Sequence, residues 1–258
     1  MPHQILSGKR VLVTGGSKGI GKACALLFAQ EGSEVMIASR DAVALQAASE
    51  EIKAGCGATV RFKAADLSQR GAAESLAEWA GPLDVLVNNA GAIPGGDLLT
   101  VDEDTWRNAW DLKVFGYINL SRAVYRDMKS RRSGVIVNVL GVAGEKLTAS
   151  YIAGSTANAG LMAFTRALGG ASHKDGIRVV GVSPGPVATD RLIKLFKQRA
   201  LAQFGDENRH DEFFKGMAFD RPATPEEIAS TVAFMASERS SYTTGVFVTL
   251  DGGMASAG

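Results

Sequence analysis

The sequence predicts a single α/β domain built on a doubly wound parallel sheet, and three observations point there. Short apolar runs that read as strands alternate with helical patterns along the 258 residues. These runs are continuously apolar rather than alternating in polarity, as in strands covered by helices on both faces. The first of them, Val11 to Val13, is followed at once by Gly15, Gly16, Gly19 and Gly21, then by an alanine-rich helical pattern from Lys22 to Gln30. Strand, glycine turn and helix in that order make an anion site. Glycine lets the backbone come close, and the free N–H groups of the helix start point at a phosphate.

Each later element follows from its own pattern. Glu34 to Arg40 (E-V-M-I-A-S-R) reads as a second strand; Asp41 begins a helix that runs to about Ala54 and is stopped by Gly55 and Gly57. Ala58 to Asp66 is a third strand, with Thr59, Val60 and Phe62 favouring β structure. Ser68 to Ala80 is helical, Leu83 to Asn88 is a fourth apolar run, and one long helical pattern covers Asp102 to about Lys129. Gly134 to Val139 is the fifth strand, Ser150 to about Ala171 the fifth helix and Ile177 to Val182 the sixth strand. Pro225 to Ala236 is helical, and Val246 to Leu250 closes the series. No repeat, low-complexity tract or linker divides the chain, so 1–258 reads as one unit with one large core.

One segment breaks the rhythm. Ser183 to Thr224 leaves the carboxyl end of a strand, the edge where open α/β sheets bind ligands, and is too long for an ordinary connection. Residues 188–220, and within them Arg191 to Phe214, read either as a mobile helical flap over a substrate or as a solvated amphipathic insertion. Its cations Arg191, Lys194, Lys197 and Arg199 are surface charges on the second reading.

Composition narrows the partners. Lys plus Arg (28) nearly balance Asp plus Glu (27), and a net charge of +1 argues for neither nucleic acid nor an anionic membrane. Met1 to Arg10 lacks the apolar core of a signal peptide, and no apolar run approaches the ~18 residues that span a bilayer. Cys24 and Cys56 make neither a disulfide framework nor a metal site, and Cys24 falls where a helix would bury it. The expectation is a cytoplasmic protein without a metal. His3, His173 and His210 have no partner spacing for a triad or metal, and Asp84, Trp106 and Trp110 read as packing or capping residues.

The glycine spacing G-x-x-x-G-x-G (Gly15, Gly19, Gly21) is a variant of the dinucleotide fingerprint. Gly16 to Lys22 also fits the phosphate loop of nucleotide triphosphatases, but the following position, which should carry a Mg²⁺-binding hydroxyl, is Ala23. The second strand ends in Ser39 and Arg40, with Lys18 inside the glycine turn and no acid at the strand tip. Cations there favour a 2′-phosphate, so NADP(H) is expected rather than NAD. Asp41 reads as the cap of the helix it begins.

These motifs together resemble the short-chain dehydrogenase/reductase family across nearly the whole chain. T-G-G-S-K-G-I-G (Thr14 to Gly21) resembles its cofactor turn, which places Gly15, Ser17, Lys18, Gly19, Ile20 and Gly21 at the dinucleotide. A-D-L, with Asp66 and Leu67, resembles the segment that meets the adenine, and N-N-A-G, with Asn89, Ala90 and Gly91, the turn after the fourth strand. S-P-G-P-V-A-T, with Pro184, Gly185, Val187 and Thr189, resembles the segment that holds the nicotinamide amide. R-P-A-T-P-E-E-I and T-G-V-F-V-T-L-D-G-G complete the series. The resemblance implies a seven-stranded Rossmann sheet, assembled as a homotetramer or homodimer through two long helices. Ala153, Gly154, Ala157, Ala159, Gly160 and Ala163 make the fifth helix small-sided, for such an interface or for internal packing.

The resemblance also implies four catalytic side chains: a Ser, a Tyr, a Lys four residues after the Tyr, and an Asn on the preceding long helix. In that scheme the Tyr passes a proton to or from the substrate oxygen, while the Lys binds the cofactor ribose and lowers the Tyr pKa. Tyr151, in S-Y-I-A-G-S, matches the Tyr. The Lys position holds Ser155, the Ser position aligns with Gly141, and the Asn position in D-L-K-V-F-G holds Lys113. The stretch from Gly141 to Tyr151 is shorter than usual. A phenol with an ordinary pKa near ~10 is a poor base at neutral pH, so losing the Lys should hurt alcohol oxidation more than carbonyl reduction.

Lys113 either restores the missing charge from a neighbouring helix or is a solvent-facing lysine. Ser155 is a candidate for a ribose hydroxyl, and Asn138, Thr148 and Ser150 for polarising the carbonyl, with Asn138 alternatively fixed in its strand and Ser150 a helix cap. The expected function is NADP(H)-linked reduction of a ketone, aldehyde or 3-oxoacyl group on a small carbonyl or alcohol substrate, with Tyr151 as proton donor. The alternative is a catalytically impaired relative that binds NADP(H) as a sensor or scaffold.

Overall fold

The computed structural model describes residues 5–256; His3 lies outside them. Its elements, in chain order, are β1 (Arg10–Thr14), α1 (Gly19–Gln30), β2 (Glu34–Ser39), α2 (Ala42–Cys56), β3 (Arg61–Ala64), α3 (Ala72–Ala80), β4 (Val85–Asn88) and α4 (Glu103–Trp110). There follow α5 (Gly116–Arg131), β5 (Gly134–Val139), α6 (Ile152–Ser172), β6 (Ile177–Pro184), α7 (Asp190–Phe204), α8 (Pro225–Ala236) and β7 (Phe247–Leu250). The seven strands form one sheet in the order β3-β2-β1-β4-β5-β6-β7, and every pairing is parallel.

Successive apolar residues of one strand serve opposite layers. Val11 and Val13 pack with α1, α2 and α8, while Leu12 between them packs with α3 and α5. This is why the strands read as unbroken apolar runs. A third cluster, with Ile93, Val114, Tyr117, Leu140, Ala153 and Leu161, fills the space above the carboxyl ends of β4 and β5. The chain runs outward from β1 through β2 to β3, then returns to β4 on the other side of β1. The crevice of the sheet therefore opens between β1 and β4.

Several boundaries differ from expectation for local reasons. Helix α1 begins at Gly19 rather than Lys22, so the last glycines of the turn already belong to its first turn. Helix α2 continues through Gly55 and ends at Gly57, whose φ of 78° supplies the left-handed cap; its start is capped by Asp41, which accepts from the Ala44 N–H at 3.0 Å. Strand β3 is shorter than predicted, and α3 starts only at Ala72, after Gly71 turns the chain with a φ of 80°.

The long helix expected over Asp102 to Lys129 is not continuous. Asp111–Phe115 form one π-helical turn between α4 and α5, and Lys113 sits in its centre. Such a turn rotates the side chains that follow it relative to an unbroken helix and is often found at functional sites. The small residues of α6 divide into two sets. Ala153, Gly154 and Ala157 are buried inside the molecule, whereas Gly160 and Ala163 are exposed, with open space over Gly160.

Asn138 belongs to a buried network. Asn88 Nδ2 donates to Ser121 Oγ and to Asn138 Oδ1, both at 3.0 Å. Asn138 Nδ2 donates in turn to Thr165 Oγ1 at 2.9 Å, and Thr165 Oγ1 donates to the Leu161 carbonyl at 2.8 Å. The network ties β4 and β5 to α5 and α6. Asn138→Ala leaves the Asn88 amide and Thr165 short of partners and should cost about 1–3 kcal/mol of stability. Urea denaturation measures the loss; a change within about 0.5 kcal/mol would mean that water replaces the missing contacts.

Candidate functional site

The glycine turn is closely packed. Gly15 and Gly19 have φ values of 65° and 52°, which favour glycine. A Cβ on Gly21 would coincide with the Gly15 carbonyl and lie 2.5 Å from Asn89 Nδ2. The turn and the start of α1 are thus in direct contact. Thr14 Oγ1 accepts from the Asn89 and Ala90 N–H groups at 2.9 and 3.1 Å, and Asn89 Nδ2 donates to the Thr14 carbonyl at 2.9 Å. These bonds join the ends of β1 and β4 at the crevice.

A cleft of about 150 Å³ brings together Gly15, Ser39, Arg40, Leu67, Ala90 and Gly91 from four successive strand ends. Asp66 stands beside it: burial pushes its carboxyl up, but hydrogen bonds from Ser68 and Gln69 and the Arg40 charge outweigh this and hold it below the usual carboxylate range. Arg40 is exposed. Lys18, at the N-terminus of α1, lines a separate depression with Gly19, Lys22, Thr189 and Asp190. Ser17 and Ile20 lie in the turn, partly buried.

On the other side of β4, Pro184 ends β6, and the Gly185 N–H donates to the Leu250 carbonyl at 2.9 Å. Val187 forms a parallel bridge with Ala223, and Thr189 caps α7 by accepting from the Leu192 N–H at 3.4 Å. A Cβ on Gly19 would lie 2.9 Å from Thr189 Cγ2, so this segment reaches back to the glycine turn.

Lys113 does not face solvent as an ordinary helix lysine would. Its side chain crosses Gly91, where a Cβ would lie 3.0 Å from Lys113 Cδ, and its Nζ is 3.5 Å from the Leu140 carbonyl and 5.9 Å from the centre of the Tyr117 ring. Burial pushes its ammonium down to about 8, and the neighbouring Arg191 charge adds to the effect. Tyr151 is the residue before α6, tied to Gly96 by a backbone bridge. Its ring fills the place that a Cβ on Gly154 would occupy. Burial raises the phenol pKa above its ordinary value, and the Arg191 charge only partly opposes this.

Other candidates are engaged elsewhere. The Ser155 hydroxyl accepts from the Thr148 N–H at 3.1 Å and donates to the Thr148 carbonyl at 3.3 Å, so it pins the loop before α6. Asn138 is committed to its buried network. Ser150 does not cap α6; its carbonyl accepts from the Gly96 N–H at 2.9 Å, and Tyr151 takes the cap position without a side-chain bond. Gly141 lies against Asn158, whose amide atoms would be 3.3 Å from a Cβ there. Cys24 is buried in the core, where its thiol is pushed up to about 12. Asp84 bonds the Arg10 N–H at 2.8 Å, and Trp110 Nε1 donates to the Ala153 carbonyl at 3.1 Å, both packing roles. His210 packs edge-on to Phe214.

Arg191, which the sequence marks only as one of four cations in the segment after β6, reaches back to the site. Its Nη2 donates to the Ile93 carbonyl at 2.6 Å, and its charge acts on both Lys113 and Tyr151. The signal was present: a cation in the first turn of a helix opposes the macrodipole and needs another reason to be there. The rest of the predicted flap is an aromatic cluster. Phe196 of α7 meets Phe213 and Phe214 at 5.6 and 5.9 Å, and Arg199 stacks 4.7 Å from the Phe213 ring centre.

A family model for the short chain dehydrogenase matches residues 9–200. A 3-oxoacyl-[acyl-carrier-protein] reductase of Chlamydia muridarum is 34% identical over 98% of this chain and 100% of its own length. A galactitol 2-dehydrogenase of Cereibacter sphaeroides is 32% identical over 96% of this chain and 95% of its own. In structure, the chain is similar to L-sorbose reductase of Gluconobacter frateurii, solved with NADPH and L-sorbose, with a TM-score of 0.92 and 30% identity over 98% of both chains.

The contact between Tyr151 and Gly154 makes a direct prediction. Gly154→Ala favours the helix by about 0.5–1 kcal/mol but removes the seat of the ring, so α6 should persist while the phenol moves toward solvent. Ultraviolet difference titration against Tyr151→Phe should show the Tyr151 pKa falling toward its ordinary value; an unmoved pKa would show that the ring is held by other contacts.

Proposed function

The chain is a member of the short-chain dehydrogenase family, and from that premise we propose that it is an NADPH-dependent reductase of a ketone, aldehyde or 3-oxoacyl group. The observation that carries the reading is the Arg191 charge that acts on both Tyr151 and Lys113, with Lys113 packed over Gly91 at the glycine-lined crevice. The NADPH-bound sorbose reductase and the oxoacyl reductase relatives support the same direction.

The crevice fits a dinucleotide. Glycine at Gly15, Gly19 and Gly21 keeps Cβ atoms off the backbone that a diphosphate would approach, and the cleft at Gly15, Ser39, Leu67 and Ala90 is open to an adenosine. Gly15, Ser17, Gly19, Ile20 and Gly21 would hold the phosphates, with Asp66, Leu67, Asn89, Ala90 and Gly91 along the adenosine and ribose and Pro184, Gly185, Val187 and Thr189 at the nicotinamide end. Arg40, with no acid at the tip of β2, is the residue that selects a 2′-phosphate. Lys18 adds charge from its separate depression. When bound, NADPH supplies the hydride that the carbonyl carbon receives.

This chain's own residues handle the proton. Tyr151 is held protonated by burial and delivers its proton to the carbonyl oxygen, giving the alcohol. Lys113 stands in for the absent lysine: its ammonium stabilises the phenolate left after transfer, from the π-helical turn rather than from α6. Ser155 contributes by fixing the Thr148 loop that precedes Tyr151. The α7 segment acts as the substrate flap, clasped at its base by the Val187–Ala223 bridge. The exposed small face of α6 is the contact by which copies assemble as a homotetramer or homodimer.

The pH dependence follows from the two shifts. A lysine whose pKa is lowered to about 8 is charged below that pH and loses its charge above it, while the raised phenol remains protonated throughout. The reductase rate should therefore fall as pH rises through about 8. Lys113→Met should lower turnover and abolish that limb, and Lys113→Arg should move the limb upward. An unchanged rate and pH profile in Lys113→Met sinks the assigned role. Tight NADPH binding without turnover on a broad carbonyl panel would instead identify a cofactor-binding sensor or scaffold. Arg40→Leu should weaken NADPH binding about tenfold or more while sparing NADH, since it removes a charge-assisted contact to phosphate; equal weakening of both would remove Arg40 from the 2′-phosphate.

A further inference from the structure

The donors at the head of the site have almost no acceptors. Among the described residues, the Tyr151 hydroxyl bonds no protein group, Lys113 has only the 3.5 Å approach to Leu140, and neither Lys113 nor Arg191 has an ion-pair partner. Arg191 spends one of its guanidinium nitrogens, on the Ile93 carbonyl. Arg178 is the contrast. It is a structural arginine whose guanidinium serves the carbonyls of Met235, Thr243, Ala236 and Ser237 and the Ser240 hydroxyl. Arg191 is held at one corner and left open at the rest.

Arg191 is exposed and Lys113 half-buried, so water reaches the guanidinium; but two neighbouring cations with no acid paired to either are best neutralised by a shared anion. The anchor of Arg191 says which end of the crevice that anion occupies. Ile93 lies two residues beyond Gly91 and belongs to the cluster that holds Leu140, Ala153 and Tyr151, while Thr189, two residues before Arg191, lies against Gly19 of the turn. We propose that Arg191 binds a carboxylate of the substrate, so that the carbonyl compound reduced here is an oxo acid whose ketone faces Tyr151. The planar fork of arginine matches the two carboxylate oxygens. Because Arg191 stands in the first turn of α7, the flap closes on the charged end of the substrate. This substrate class rests on the reductase reading above.

The test pairs small 2-oxo and 3-oxo acids with their methyl esters as substrates of the NADPH-loaded full chain. The wild type should prefer acid to ester by about tenfold or more in kcat/KM, chiefly through KM, and Arg191→Met should bring that ratio to within about twofold of one. Arg191→Lys should retain part of the preference. An equal preference in wild type and Arg191→Met overturns the proposal. So does a loss of NADPH affinity of about tenfold in Arg191→Met, which would give the arginine to the cofactor phosphates. If no compound is turned over, the reductase reading fails by itself. Calorimetric titration of the oxo acids into the NADP-loaded chain then decides the carboxylate site. Binding lost in Arg191→Met upholds it, and no binding by the wild type overturns it.

Discussion

The joint between the ends of β1 and β4 supports the rest of the site. Thr14 Oγ1 takes two backbone N–H groups from the Asn89–Ala90 turn, and the Asn89 side chain returns a bond to the Thr14 carbonyl. Parallel strands that diverge at a switch point would otherwise leave these groups unpaired in a buried crevice. With them paired, the glycine turn and the N-N-A-G turn share one rigid floor, against which both α1 and Lys113 pack. The contact fixes the turn through its missing side chains as much as through its hydrogen bonds, since a Cβ at Gly21 or Gly91 would push Asn89 or Lys113 away.

Above that floor, burial acts on the phenol and the ammonium in opposite senses. It raises the Tyr151 pKa and lowers that of Lys113, because in each case the charged form is the one deprived of water. The result is a phenol kept protonated and an ammonium whose charge is lost above about pH 8. In the reductase proposed above, such a phenol gives a proton to a carbonyl rather than taking one from an alcohol. The π-helical turn between α4 and α5 carries Lys113 across Gly91, and Ser155 of α6 holds the adjoining Thr148 loop.

The flap combines its own small core with a fixed base. Phe196, Phe213 and Phe214 pack together under Arg199, and Arg209 covers Phe204 at 4.2 Å from the ring centre. Backbone hydrogen bonds from Ala188 to Ala223 and from Ala223 to Pro186 close its base. Two of its cations, Arg199 and Arg209, are thus explained by stacking on aromatics rather than by solvent alone.

What the sequence determined by itself was the sheet, its covering helices and the crevice. Those depend on apolar periodicity, on glycine where the chain must turn tightly, and on caps such as Asp41, all of which act over a few residues. It also marked Tyr151 as the match to the family's tyrosine, and Gly141, Ser155 and Lys113 as the positions where the resemblance breaks. Tertiary structure decided what those departures mean. Whether Lys113 faces water or the crevice depends on a π-helical turn that replaces a straight helix, and side-chain direction there follows hydrogen-bond register rather than residue type. That Ser155 and Asn138 are already occupied, that Tyr151 rests on Gly154, and that Arg191 comes back to Ile93 are long-range packing outcomes. Burial and charge at the site are sums over neighbours distant in the chain, so they became readable only once the sheet and its loops had brought those neighbours together.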